Sequence, residues 1–152
     1  DVFFQQGKLD KAEASYRAAL ARDAVDLDTR AHLGQCLLRL KRPAEARPLL
    51  EGVVTEKPGH DYWHTMMALA ETLMALGKSD NAILYWEHIT KQQTYPRAKV
   101  QLAELYVAKN QPEKARAELA DVLADDPHTP AYQRRRDRVW VRRARALARK
   151  LG

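Results

Sequence analysis

The sequence predicts an all-α fold in which antiparallel helix pairs stack side by side, closed by a long C-terminal helix. Three observations carry that expectation. Four alanines, Ala12, Ala46, Ala82 and Ala115, stand 34, 36 and 33 residues apart. Around each of them apolar residues recur at offsets of three and four, the spacing that gathers side chains on one face of a helix. No stretch alternates apolar and polar residues as a half-buried strand does. A period near 34 built from helical spacings is the signature of a helix–turn–helix array, in which each pair buries its apolar face against its neighbours.

Taken in order, the first unit spans residues 1–26. Phe3 stands nine before Ala12, and Tyr16 and Ala19 stand four and seven after it, with a turn predicted at Gly7-Lys8-Leu9-Asp10. This unit opens in mid-helix at Asp1, so the native polypeptide is expected to extend upstream, where a signal, an anchor or further repeats would lie. The second unit, 27–60, holds Leu33-Gly34, Leu37, a turn at Lys41-Arg42-Pro43, then Ala46, Leu50, Val53 and Pro58. The third, 61–95, repeats this with Leu69-Ala70, Leu73, a turn at Gly77-Lys78-Ser79-Asp80, then Ala82, Trp86 and Ile89. The fourth, 96–128, holds Leu102-Ala103, Tyr106, a turn at Asn110-Gln111-Pro112, then Ala115, Leu119, Val122 and Pro127.

Each turn has a mechanism. Gly and Asn accept the left-handed conformation that ends a helix, and Pro suits the first helical turn. Small residues at Gly34, Ala46, Ala70, Ala82, Ala103 and Ala115 lack the bulk that would hold paired helices apart. The interval from Ala46 to Ala82 is the long one. It predicts a helix extended from near His60-Asp61, with irregular backbone at 59–63 and 92–96. Thr129-Pro130, a capping side chain followed by Pro, predicts the start of a last helix that runs unbroken to Leu151.

These coordinated positions resemble the tetratricopeptide repeat (TPR) family over about residues 1–127. Where many family members carry Trp, this chain has Arg30, Met66 and Lys99. The resemblance implies a right-handed superhelix, an α-solenoid, formed as one array domain over 1–152 with a basic capping helix at 129–151. It also implies that the first helix of each pair lines a concave surface. Carried onto this sequence, that surface has an apolar row at Phe4, Leu38, Met74 and Val107 and a second at Ala31, Met67 and Val100. Between them runs a mildly acidic row, Asp1, Gln35, Glu71 and Glu104, and its front edge holds Asp28, His64 and Arg97.

An apolar floor crossed by acidic groups suits a protein or peptide partner that is apolar with some basic character. Apolar anchors supply burial, methionines adapt to imperfectly shaped ligands, and acids bias orientation and association rate. The alternative is that Leu38, Met74 and Val107 pack between neighbouring first helices. Some TPR modules grip a C-terminal carboxylate with Lys and Asn on these helices. The matching row here, Gln35, Glu71 and Glu104, would repel one.

The charge is lopsided. Residues 129–152 carry eight arginines and Lys150 against the single acid Asp137, a net of +8, so a chain of +6 leaves −2 for residues 1–128. Apolar Tyr132, Val139, Trp140, Ala144, Leu147 and Leu151 follow helical spacing there, interrupted by Arg136 and Arg143. One reading is a solubilising cap, which an array needs because its last repeat cannot cover itself. The other is a cationic face of Arg134, Arg135, Arg138, Arg142, Arg145, Arg149 and Lys150 that meets an anionic membrane surface or an acidic protein. Nucleic acid is less favoured, because Trp140 and Tyr132 fall on the apolar stripe, where they serve as core rather than as stacking platforms.

No enzymatic role is expected. There is no Gly-rich phosphate loop and no Ser or Cys in a nucleophile motif, and Glu87-His88 and Asp125-Asp126 lack a catalytic partner. His60 and His64 have the i,i+4 spacing that holds zinc, but Asp61 stands where the metalloprotease pattern has Glu and no third ligand is near. Neither metal nor cofactor is expected. Cys36, the only cysteine, excludes an internal disulfide and reads as a packed thiol. No apolar run is long enough to span a membrane. A cytoplasmic or cytoplasm-facing location is expected, tethered if an anchor lies upstream of Asp1. A third functional reading is an assembly subunit that multimerises through an exposed end of the array.

Overall fold

In the computed structural model, which describes residues 2–152, the chain forms eight α-helices and no strand among the described residues. They are α1 (Val2–Arg22), α2 (Leu27–Arg39), α3 (Pro43–Glu56), α4 (His64–Ala75), α5 (Ser79–Gln92), α6 (Pro96–Ala108), α7 (Pro112–Asp125) and α8 (Ala131–Leu151). A 3₁₀ turn at Asp126–His128 joins the last two. Two compact units divide the chain between Tyr85 and Trp86, inside α5.

In the first unit α2 packs on α1, α3 and α4, and α3 packs on α4. In the second, α6, α7 and α8 pack on one another. The repeat positions supply both cores. Leu33, Leu37, Ala46, Leu50 and Val53 are buried in the first unit, with Leu69, Ala70, Leu73 and Ala82; Trp86, Ile89, Leu102, Ala103, Tyr106, Ala115, Leu119 and Val122 are buried in the second. Full burial of each large apolar side chain is worth roughly 1.5–3 kcal/mol. The small residues are required by contact distance. A Cβ on Gly34 would stand 2.7 Å from Cγ and Cδ2 of the buried Leu50.

Three of the predicted turns are one structure used three times. Lys41, Gly77 and Asn110 hold the left-handed conformation, and their N–H groups donate to the carbonyls of Leu38, Met74 and Val107. The following residues, Arg42, Lys78 and Gln111, donate to the carbonyls of Leu37, Leu73 and Tyr106. These bonds satisfy the carbonyls that a helix end leaves without partners. At Lys41 the conformation is held without glycine. Pro43 and Pro112 then open α3 and α7.

Where many TPR proteins carry Trp, the charged replacements are paired. Arg30 Nη2 donates to Glu56 Oε2 at 3.0 Å on α3, and Lys99 Nζ donates to Asp121 Oδ2 at 3.3 Å on α7. Met66, in the same slot, is simply buried.

Four expectations are corrected. The turn at Gly7-Lys8-Leu9-Asp10 does not form, and α1 runs through it to Arg22. Residues 2–8 are all exposed, so no packing compensates for interrupting the helical hydrogen bonds, and Phe3 is 88% exposed rather than core. The two extra residues between Ala46 and Ala82 do not lengthen a helix. α4 starts only at His64, and the added length is spent in a loop at 57–63. Asp61, Tyr62 and Trp63 all have positive φ there, an arrangement that persists only when surrounding contacts fix it. His60 supplies such contacts: its buried ring bonds Thr65 Oγ1 through Nδ1 and Asp28 Oδ1 through Nε2, both at 2.6 Å. Third, Thr129 does not cap α8. Its hydroxyl donates to the Asp125 carbonyl, and α8 begins after Pro130 without a side-chain cap. Fourth, Tyr132 and Val139 are not core residues of α8. They are 67% and 59% exposed, because the helix buries a face centred on Asp137, Val141 and Ala144 instead.

Candidate functional site

In the first unit the candidate surface is built on α2 and α4, first helices of successive repeats that pack on each other. Met67 is completely buried, as are Ala31 and, in the second unit, Val100. Met67 and Val100 therefore cannot form the floor of an open groove. In α4 residues 65–70 form a continuous buried run, and in α6 residues 98–103 do the same. These turns are enclosed on every side and present no free face.

The surface emerges toward the C-terminal ends of the same helices. Gln35 and Leu38 on α2, and Glu71 and Met74 on α4, are all half-buried, as is His64 at the start of α4. Phe4, on α1, is 59% exposed with Lys8 Nζ 4.5 Å from its ring centre. Asp1 lies outside the described residues. In the second unit Arg97, Glu104 and Val107 on α6 are half-buried. Glu104 is engaged within that unit, accepting a hydrogen bond from Arg143 of α8.

The cationic helix α8 is the second candidate surface. Arg134, Arg135, Arg138, Arg142, Arg145, Arg149 and Lys150 are all exposed. The two arginines that interrupt the apolar spacing have their own tasks. Arg136 donates through Nε and Nη2 to the carboxylate of Asp137, at 3.1 and 3.2 Å. Arg143 lies 4.4 Å from the centre of the half-buried Trp140 ring while it reaches Glu104. A cleft of about 430 Å³ opens along α8, lined by Arg134, Arg135, Arg138, Arg142, Arg145 and Asp126. Asp126, mostly covered, places Oδ1 3.9 Å from Arg134 Nε and Oδ2 3.4 Å from Arg145 Nη2. Nothing in helical periodicity links position 126 to 134 or 145, so no sequence signal points to this carboxylate.

A third polar cluster sits among α5, α6 and α7. Tyr106 Oη donates to Glu87 Oε2 at 2.6 Å, and burial followed by that bond raises the phenol pKa. Burial also raises the pKa of half-buried Glu118, against the opposing pull of Lys99. Glu87 is thus a packing partner of Tyr106. Cys36 is buried, its thiol donates to the Leu9 carbonyl at 3.3 Å, and burial pushes its pKa up, which disfavours the reactive thiolate. Both nitrogens of His60 are occupied by Thr65 and Asp28. Among the described residues no group of three His, Cys, Asp or Glu is placed to hold a metal ion, and no helix is long and apolar enough to cross a membrane.

A family model for the tetratricopeptide repeat matches residues 3–70 and 73–136. Among solved structures, one of MamA is 18% identical with a TM-score of 0.73, covering 99% of this chain and 91% of that one. MamA AMB-1 is 19% identical at a TM-score of 0.72, with 84% and 75% covered. YrrB, described as a TPR protein with an unusual peptide-binding site, is 22% identical at 0.71, covering 83% of this chain and 64% of that chain. At these identities the likeness is one of fold. No curated protein matches.

Proposed function

We propose, from the premise that this chain belongs to the tetratricopeptide repeat family, that it is a non-catalytic interaction module whose partner peptide or helix lies along the C-terminal halves of its first helices. One observation carries this reading: Leu38 and Met74, at the same place in successive repeats, both stay half exposed, and on α4 the turn before Met74 is enclosed. Gln35 and Glu71 stand one turn away on the same helices, so an apolar step is bordered by polar and acidic groups. Taken by itself, the second unit has a half-buried Val107 near the C-terminal end of α6, and its neighbour Glu104 is already paired. The fold likeness to YrrB, whose description names a peptide-binding site, supports the same use here. The preferred partner is apolar with some basic character.

The test uses a synthetic amphipathic helix of leucine and lysine as probe. Leu38→Glu and Met74→Glu should each weaken its binding on the order of tenfold, about 1.4 kcal/mol, with an unchanged melting curve. Equal affinity in folded variants overturns the reading. Met67 is not a useful probe, since a charge at that enclosed position would unfold the unit before it reported on binding.

A further inference from the structure

We propose that the arginine cleft of α8 is a second binding site, for an extended acidic peptide of a protein partner. This inference stands apart from the α2–α4 reading and uses different residues. Its ground is the state of the guanidiniums. Asp126 sits beside Arg134 and Arg145, whereas Arg135, Arg138 and Arg142 line the same cleft with no carboxylate in ion-pair reach among the described residues. The only acid of the helix, Asp137, is turned inward and paired with Arg136. The helix therefore gathers cations and keeps its one carboxylate off the outer face.

The choice of cation separates this site from a merely solubilising surface. Residues 129–152 use eight arginines and one lysine, while the rest of the chain uses eight arginines and nine lysines. A solubilising face has no reason to prefer arginine. A face that receives oxyanions does, because the planar guanidinium offers two parallel N–H donors to a carboxylate, where an ammonium acts as a point charge.

Spacing and shape select the ligand. Arg134, Arg138, Arg142, Arg145 and Arg149 follow one another at three or four residues, rising about 4.5–6 Å per step. An extended peptide rises about 6.6 Å over two residues, so carboxylates at alternate positions meet successive arginines. The concavity suits a chain lying in it better than a flat bilayer, which would meet only the outer ridge. On that ridge Tyr132 and Val139 are exposed, too little apolar surface to insert into lipid but enough to contact the peptide's intervening side chains. Tyr132 is the single exposed aromatic of the helix, too few for the repeated stacking that holds single-stranded nucleic acid.

The experiment titrates the whole chain with a fluorescein-labelled twelve-residue peptide of alternating glutamate and threonine, read by anisotropy. Parallel titrations use the glutamine analogue, vesicles of phosphatidylcholine and phosphatidylglycerol, and polyuridylate. The glutamate peptide should bind, the glutamine analogue should not, and rising salt should weaken binding. R138E/R142E should lose binding on the order of tenfold or more, with melting unchanged because neither side chain has a partner to lose. The triple variant R135K/R138K/R142K keeps the charge and guards against a folding artefact; it should also bind several-fold more weakly. Equal binding by the lysine variant, no binding of the glutamate peptide, or binding of vesicles or polyuridylate in its place overturns the proposal. Retained glutamate-peptide binding in Leu38→Glu separates this site from the α2–α4 surface.

Discussion

α6 and α8 pack on each other in one unit, yet they are made of opposite materials. α6 has 13 residues with eight buried, including Lys99, whose ammonium is drawn onto Asp121. α8 has 21 residues and buries three, one of them an aspartate. The difference comes from neighbours. A helix packed over most of its circumference must be apolar or paired nearly all round, whereas a helix covered along one stripe is free to be charged everywhere else. The same contrast separates α2, with five buried residues, from α1, which has none. Composition follows how much of each helix its neighbours cover, and the sparsely buried helices are where charge is available for binding.

The largest expected effect tests the interior side of that contrast. Leu102→Ala removes a side chain that is 1% exposed on α6 and should cost about 2–5 kcal/mol through lost burial and the cavity left behind. Val139→Ala, on the outer face of α8, should stay within about 0.5 kcal/mol. Urea unfolding followed by circular dichroism compares the two. A cost at Val139 as large as that at Leu102 would mean that the outer face of α8 is not a free surface.

Next in size is overpacking. Gly34→Ala brings a Cβ to 2.7 Å from Leu50, which is fully buried and has no room to retreat. The substitution should destabilise by about 1–3 kcal/mol, outweighing the roughly 1 kcal/mol that alanine gains over glycine in a helix. Stabilisation in the same urea assay would show that α2 and α3 have slack at their crossing. His60→Ala follows closely. It leaves the hydroxyl of fully buried Thr65 without its partner and should cost about 1–3 kcal/mol. Its signature would be faster amide exchange confined to the loop at 57–63 and the start of α4.

The interior was legible because its signal is local. Leu33, Leu37, Ala46, Leu50 and Val53, and their counterparts in the next two repeats, are related by helical offsets that a sequence displays directly. The three repeated turns were legible for the same reason, since left-handed caps and N-terminal prolines are chemistry of adjacent residues. What failed depended on neighbours remote in sequence. Rotation of α8 about its axis decides whether Tyr132 is core or surface, and that rotation is set by α6 and α7 rather than by the stripe itself. Met67 and Val100 were expected to line a surface because a family position was carried over. Their burial comes from how completely the surrounding turns are enclosed. The pairings of His60 with Asp28 and of Arg145 with Asp126 join residues with no periodic relation, so only the fold could reveal them.

The smallest effect concerns how the sparsely buried helices are attached. α1 has no buried residue, but Arg42 at the α2–α3 turn donates to Glu13 on α1 at 2.7 Å and to Glu45 on α3. Hydrogen bonds from Arg42, aided at Glu13 by Arg17, hold both carboxyl pKa values below the ordinary 4.5. A carboxylate whose pKa falls on folding contributes stability that is present above its unfolded value and lost as pH drops through the lowered folded one. Acidification below 4.5 should therefore loosen α1 while α6, held by apolar burial, stays intact. Amide exchange measured residue by residue at falling pH should show protection lost first in α1, with high salt producing a weaker version of the same loss at neutral pH. In Arg42→Ala, carboxyl-detected titration should find Glu13 and Glu45 moved upward toward 4.5, and the acid-dependent part of the α1 exchange should shrink. If α6 loosens together with α1, the two kinds of helix are not held by different forces, and the contrast between buried and charged helices gives way to a single cooperative transition.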